Sequence, residues 1–399
     1  MLQAKSDKGK FVTLARLTRT EIDRIKQEKE LFFCPICKDQ VIIKAGSKMI
    51  PHFAHLSISN CPSHEGGEGT YHEKGKLLLY QWLQHQQLDV TLEAYIPEIN
   101  QRPDMLLHLN GRRIAIEYQC ARIPVSQIKQ RNEGYKKAGI IPIWIIGANR
   151  FKRQTKHHIK LDQFITHFIH QFTHAFLPTL FFFCPISLQF ITIQDLYYTN
   201  IRQTIGRISA NYLTQMHFPD IFRQQPFLPR EIFQLWKREK QRFRLRQNNR
   251  LYGRELAWHQ WLYIKGTNRE YLPPIIHLPV KAQYWMKTPT WDWQSRLCLE
   301  LLHPMPTGQV FSLKSCQRLL QRHLFHRHEF PLISSATDPI EQYLQLLVQL
   351  DILQQCASHT FKKINTIPFY KHIEAALIGD ERLMNQLMMK KEQNTSMFH

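Results

Sequence analysis

Residues 102–119 read RPDMLLHLNGRRIAIEYQ. Two short apolar runs flank Asn110-Gly111, and a two-residue Asn-Gly loop favours a type I′ hairpin because both positions accept positive φ. In that register Leu109 faces Arg112, and the numbers of every facing pair sum to 221. Asp104 and Glu117 then stand opposite each other, with Cβ atoms about 4.5–5.5 Å apart. Alternation adds Gln119 to their face and turns Met105, Leu107, Ile114 and Ile116 to the other. Like charges facing across a ladder destabilise it. A divalent cation removes that penalty, because hard oxygen ligands are what Mg²⁺ requires. The pair therefore reads as a candidate metal site. The competing reading is a solvated sheet face on which both acids meet water, Arg102 or Arg113.

Outward from the hairpin, Thr70-Tyr71-His72-Glu73 has the form of a capping box. It opens a helix to about Gln87, with Leu78, Leu79, Trp82 and Leu83 as the buried stripe. Strands are expected at 89–96, 104–109 and 112–119, followed by a helix from Pro124 to about Gly139. IIPIWIIG (140–147) is apolar throughout, as in strands buried on both faces. The order is α-β-β-β-α-β, an α/β core. Glu73 is either the capping carboxylate or a third acid for the site. Lys76, one turn on from His72, is a candidate phosphate contact. H-E-K-G-K is not a zincin motif, because Lys76 stands where H-E-x-x-H has its second His.

Pro103-Asp104, then Glu117-Tyr118-Gln119 at the end of the next strand, resembles the PD-(D/E)xK nuclease motif, with Gln119 in the usual Lys position. Together with FFCPIC…HFAH, HEKGK and QRNEGYKKAGIIPIWIIG, the pattern resembles the competence protein CoiA family over roughly residues 30–150. The resemblance implies a restriction-endonuclease-like fold and a cytoplasmic role in natural transformation, promoting recombination of incoming single-stranded DNA. It also implies a Mg²⁺- or Mn²⁺-dependent deoxyribonuclease in which Asp104 and Glu117 hold the metal. Gln119 then takes the place of the residue that orients the attacking water, and Glu73 is the further acid. Lys brings positive charge to that place, whereas Gln offers a neutral amide donor. Two alternatives stay open. One is a DNA-binding accessory factor that does not cut and works with a recombinase or other competence proteins; the other is a restriction or defence nuclease.

Cys34-x₂-Cys37-x₁₄-His52-x₂-His55 is close to zinc-finger spacing, although the His pair is shorter than the usual x₃₋₅. Four such ligands would hold a module too small for its own core. Cys61 and His64 follow at x₂ spacing and are an alternative to one His pair.

With 53 Lys/Arg against 32 Asp/Glu the chain carries +21, a surplus that points to a polyanionic partner. Residues 223–254 hold ten Lys/Arg against two Glu, interleaved with Phe227, Phe233, Trp236, Phe243 and Tyr252. Such a pattern suits a nucleic-acid strand, with cations on phosphates and rings on unpaired bases. Arg238, Arg242, Arg244 and Arg246 are its candidate contacts, together with His72 and Lys76. The competing reading is an amphipathic helix with Phe233, Trp236 and Leu245 in its core. The longest apolar run, 176–193, is broken by Pro178, Pro185 and Gln189 and reads as strand-rich core, not as a membrane span. The expected organisation is a zinc-finger-like module (1–65), a nuclease-like domain (66–150), a linking or extension region (151–220) and a basic, mostly helical C-terminal domain (221–399).

Overall fold

A computed structural model of the chain describes residues 1–46, 51–56, 61, 69–247, 250–335 and 337–396. The N-terminal module contains β1 (Gln3–Ser6), β2 (Phe11–Thr13), α1 (Arg19–Gln27), β3 (Phe32–Phe33), β4 (Gln40–Lys44) and β5 (His52–His55). Its antiparallel strands run in the order β2-β1-β3-β4-β5. Thr18 caps α1 reciprocally: its hydroxyl accepts from the Glu21 N–H at 3.3 Å, and the Glu21 carboxylate accepts from the Thr18 N–H at 2.6 Å. Leu14, Ile22, Phe32, Val41 and Phe53 form a small core of the module's own.

The next elements are α2 (Thr70–His85), β6 (Asp89–Leu92), β7 (Met105–Leu109), β8 (Arg112–Gln119), α3 (Val125–Lys137) and β9 (Ile140–Gly147). This is the α-β-β-β-α-β order that the sequence predicts. Asn110 and Gly111 have φ of 50° and 74°, as a type I′ turn demands. The ladder runs from Leu109↔Arg112 to Met105↔Ile116, so the 221 register holds along the whole of β7. β8 and β9 pair in parallel. Period-2 alternation splits β9 between two layers: Ile143 and Ile145 join the core under α2, while Trp144 and Ile146 face α3 and the helices beyond.

Two local readings need correction. Gly69, not Thr70, is the cap of α2, with extended backbone, and the helix has no side-chain cap. Glu73 therefore lies one step too far along to close a capping box, and it is buried instead. The first strand also stops at Leu92, because Glu93 adopts φ of 51° and donates its N–H to the Asp104 carbonyl at 2.9 Å.

The stretch expected as a linking or extension region continues the same sheet through β10 (Lys152–Arg153), β11 (His158–Lys160), the short α4 (Gln163–Thr166), β12 (Thr179–Cys184), β13 (Gln189–Asn200) and β14 (Gln203–Tyr212). Strand order is β10-β11-β14-β13-β12-β9-β8-β7-β6, with β12 parallel to β9. The apolar run 176–193 supplies β12 and the start of β13, whose Phe181, Phe182 and Phe183 are fully buried. No helix among the described residues is long and apolar enough to cross a membrane.

The C-terminal part is mostly helical: α5 (Pro229–Leu245), α6 (Gly253–Ile264), α7 (Thr290–Leu297), β15 (Val310–Ser312), α8 (Leu313–Leu319), α9 (Pro339–Gln349), β16 (Leu353–Ala357), β17 (Thr360–Lys363) and α10 (Ile373–Ser396). Its core packs Trp236, Trp258, Trp293, Tyr343 and Leu347.

Candidate active site and metal centre

The register of the hairpin carries Asp104 to the position across from Glu117, but the chain bends at Asp104 and the two carboxylates take separate partners. Asp104 Oδ2 accepts the Tyr118 N–H at 2.8 Å. Its other oxygen lies 3.4 Å from Lys76 Nζ, and His72 Nε2 stands 3.7 Å from Oδ2. His72 Nε2 also lies against the Tyr118 carbonyl, with its ring stacked on the Tyr118 ring at 5.5 Å. His72 and Lys76 are four apart on α2 and so share a face. A peptide of β8, one imidazole and one carboxylate thus meet at a single point.

Lys76 is 1% exposed, which removes it from any surface role as a phosphate contact. Its ammonium is 2.6 Å from Glu93 Oε1. Glu93 is buried as well, and it accepts the Leu2 N–H at 3.1 Å and faces Arg102 at 3.7 Å. A lysine so deeply buried persists only when ion-paired, and here Glu93 and Asp104 supply the pairing. Sequence reading missed Glu93, because it sits in what reads as a continuous strand. A charged residue that breaks an alternating apolar pattern is the signal it offered.

Glu117 points to the opposite layer. Arg131 Nε donates to Glu117 Oε1 at 3.1 Å and an Nη2 contact reinforces it, while the Tyr135 hydroxyl donates to the same oxygen. Arg131 Nη2 reaches the Arg102 carbonyl at 3.0 Å as well. Burial, and then the Glu117 charge, push the Tyr135 phenol well above its ordinary range, so it stays a donor. Arg131 and Tyr135 recur at i, i+4 on α3 and so share the face turned to Glu117. Gln119 turns away from the acids: its amide donates to the Ala121 carbonyl at 2.8 Å.

In the N-terminal module Cys34, Cys37, His55 and Cys61 bring one ligand atom each to within 4.8 Å of one another. Cys34 and Cys61 sulfurs are 3.8 Å apart, and Cys37 Sγ is 3.2 Å from His55 Nε2. Cys61 takes the place expected for His52. Residues three apart on a strand point to opposite faces, so β5 cannot offer both His52 and His55 to one centre. The turn after Cys34 closes through the Lys38 N–H to the Cys34 carbonyl at 3.1 Å, with Lys38 at φ 65°. Desolvation pushes the Cys37 thiol up to about 12. His64, the other alternative ligand, lies outside the described residues.

The candidate nucleic-acid residues of α5 separate. Arg238, Arg242 and Arg246 are exposed, whereas Arg244 is buried. Arg244 is bidentate to Asp380 at 2.5 and 2.9 Å and donates to the Glu270 and Leu272 carbonyls. It is a structural pin, and its expected role as a DNA contact is withdrawn.

Three family models cover the chain in order: the N-terminal domain of competence protein CoiA at residues 14–64, its nuclease-like domain at 68–226 and its C-terminal domain at 232–377. The competence protein CoiA of Bacillus subtilis (strain 168) is 32% identical over 278 residues, which is 69% of this chain and 73% of that protein. The chain belongs to the CoiA family. Asp104, Glu117, His72 and Lys76 all fall inside the CoiA nuclease-like domain, and Cys34, Cys37, His55 and Cys61 inside the CoiA N-terminal one. The nuclease-like match ends where the large sheet and its flanking turns end, well beyond residue 150. No solved structure matches the chain.

Proposed function

We propose that this CoiA-family chain acts in competence as a divalent-cation-dependent nuclease that processes incoming DNA ahead of recombination. The observation that carries the reading is the meeting of His72, Asp104 and the Tyr118 carbonyl at the end of β8, with the buried Glu93 joined to Asp104 through Lys76. Buried carboxylates at this density belong either to a dead ion-pair network or to a site that exchanges a protein cation for a metal. Nitrogen and oxygen donors suit Mn²⁺ or Mg²⁺, so His72, Asp104 and the Tyr118 carbonyl would hold the ion, and Glu117 would join them on leaving Arg131 and Tyr135. When bound, such an ion supplies Lewis acidity toward a phosphate and a more acidic water.

The protein's own contribution is charge and placement. Gln119 is committed to Ala121, and Lys76 brings to Asp104 the positive charge that a Lys at position 119 would have brought. Arg131 and Tyr135 fix the Glu117 rotamer. A second reading, a strand-binding factor that does not cut, is favoured by the same two facts: Gln119 faces away, and Lys76 and Arg131 already neutralise the acids. We further propose a structural zinc ion on Cys34, Cys37, His55 and Cys61. Three Cys and one His make a closed tetrahedral set, with no open position for chemistry.

The deciding experiment is incubation of the purified protein with Mg²⁺ or Mn²⁺ and single-stranded, duplex or branched DNA. Cleavage is expected, and Asp104→Ala and Glu117→Ala are each expected to abolish it. Cleavage that survives both substitutions defeats the assignment, and intact DNA under every condition selects the non-cutting reading.

A further inference from the structure

Far from the acids, the edge of the large sheet and helix α5 enclose a cleft of about 1310 Å³. One wall is β11 and the β13–β14 turn, bearing Lys160 and Arg202; the other is α5, bearing Arg238, Arg242 and Arg246. β11 lies five strand positions from β8, roughly 24 Å at about 4.8 Å per strand. The cleft is therefore separate from the candidate active site.

Its charge is lopsided. Six Lys/Arg line it against two Glu, and each acid is already engaged: Glu239 by Arg242 and by His158 at 3.0 Å, Glu255 by Arg246 at 2.9 Å. Lys160, Arg202 and Arg238 are exposed and have no carboxylate partner among the described residues. Three unpaired cations facing one another across a cleft repel, and a protein keeps such an arrangement for an anion. Arg238 and Arg242 lie one turn apart, about 6 Å along the helix, and Arg246 follows just past its C-terminal end, so the charge forms a line and not a point. A line of cations matches a chain of phosphates better than a single phosphate.

Phe243 is half-buried in the same lining, backed by Trp258 and Trp291, with Phe243 stacked on Trp291 at 6.3 Å. Rings beside a cationic track suit unpaired bases, whose faces are free to stack; in a duplex those faces are covered. We infer that this cleft is a binding track for single-stranded nucleic acid, formed jointly by the nuclease-like sheet and the C-terminal helices. The inference rests on the nucleic-acid half of the proposed function and not on hydrolysis.

The test is fluorescence anisotropy with a labelled oligothymidine, titrated at several KCl concentrations against the full-length protein and a Lys160→Gln/Arg202→Gln/Arg238→Gln variant. Each neutralised phosphate of a single strand contributes about 0.7 to the slope of log K against log salt. The variant is expected to lose about 2 from that slope and to bind about 100-fold more weakly at 0.1 M salt. Its melting transition should match the parent, since the three side chains are exposed and unpaired. Binding is read with EDTA present, so the outcome does not depend on whether the parent cleaves. An unchanged slope in the triple variant overturns the inference. So does equal competition by duplex DNA or by polyglutamate.

Discussion

Helix α5 carries two rows of basic residues, and exchanging one residue in each row gives opposite outcomes. Lys240 and Arg244 follow Trp236 at i, i+4 into the core, while Arg238, Arg242 and Arg246 line the cleft. The rows are two residues apart, roughly 200° around the helix. Replacing Arg244 by Met removes one partner of a buried ion pair, which costs about 3–5 kcal/mol. Lys240 Nζ stays 3.1 Å from Asp380 and limits the loss, but the Glu270 and Leu272 carbonyls lose donors, at about 1 kcal/mol each. The net expectation is about 3–5 kcal/mol of destabilisation, read in urea as a lower midpoint at unchanged slope. The salt dependence of strand binding should stay at the parental value. Arg238→Gln should do the reverse, moving stability by less than about 0.5 kcal/mol while lowering the salt slope by about 0.7. An Arg244→Met protein with the parental midpoint and a reduced salt slope would refute the assignment of the two faces.

Lys76→Met leaves Glu93 and Asp104 without their ammonium, so it should destabilise the fold by about 3 kcal/mol and abolish any cleavage; added Mn²⁺ should restore part of the stability, seen in a thermal shift. Zinc content measured by elemental analysis should fall from one ion per chain to none in Cys61→Ser and stay at one in His52→Ala. His170, buried between β9 and β12, accepts the Trp144 N–H at 3.0 Å, and burial holds its imidazole down at about 3. Because the folded value lies below the ordinary 6.5, its contribution is complete above pH 6.5 and is lost as pH falls toward 3. A His170→Gln variant should unfold with a shallower acid dependence over that window, by on the order of 5 kcal/mol. Lys240 is held down at about 8 by burial, so its penalty on stability applies in full below pH 8 and is relieved as pH rises toward 10.5. Chemical denaturation at pH 7 and 9.5 should show Lys240→Met gaining less from the rise than the parent.

The hairpin and its acids were legible because each rests on short-range rules. Asn-Gly fixes the turn, the turn fixes the register, and the register brings position 104 to position 117. Strand β9 was legible from its unbroken apolar run. Cys61 was harder, because only the alternation of β5 separates His55 from His52. Glu93, Arg131 and Tyr135 were not read, since their roles depend on how α2 and α3 pack across the sheet. Arg244 was misread for a related reason. Charge density along a segment says nothing about which helical row faces solvent, and Asp380 is 136 residues away. The cleft needs the β13–β14 turn beside α5, a juxtaposition made by the long path through the sheet.

The position of β9 has a consequence for how the chain is made. Its parallel neighbour β8 precedes it, but its other neighbour, β12, starts only at Thr179. Until β12 arrives, the part of β9 beyond Pro142, residues 143–147, is an open edge with neither a charge nor a bulge to protect it, the kind of segment that pairs with other chains. On a ribosome adding roughly 5–20 residues per second the interval lasts a few seconds. A fragment ending at residue 150 would make it permanent, and such a fragment should aggregate although it holds every acid of the candidate site.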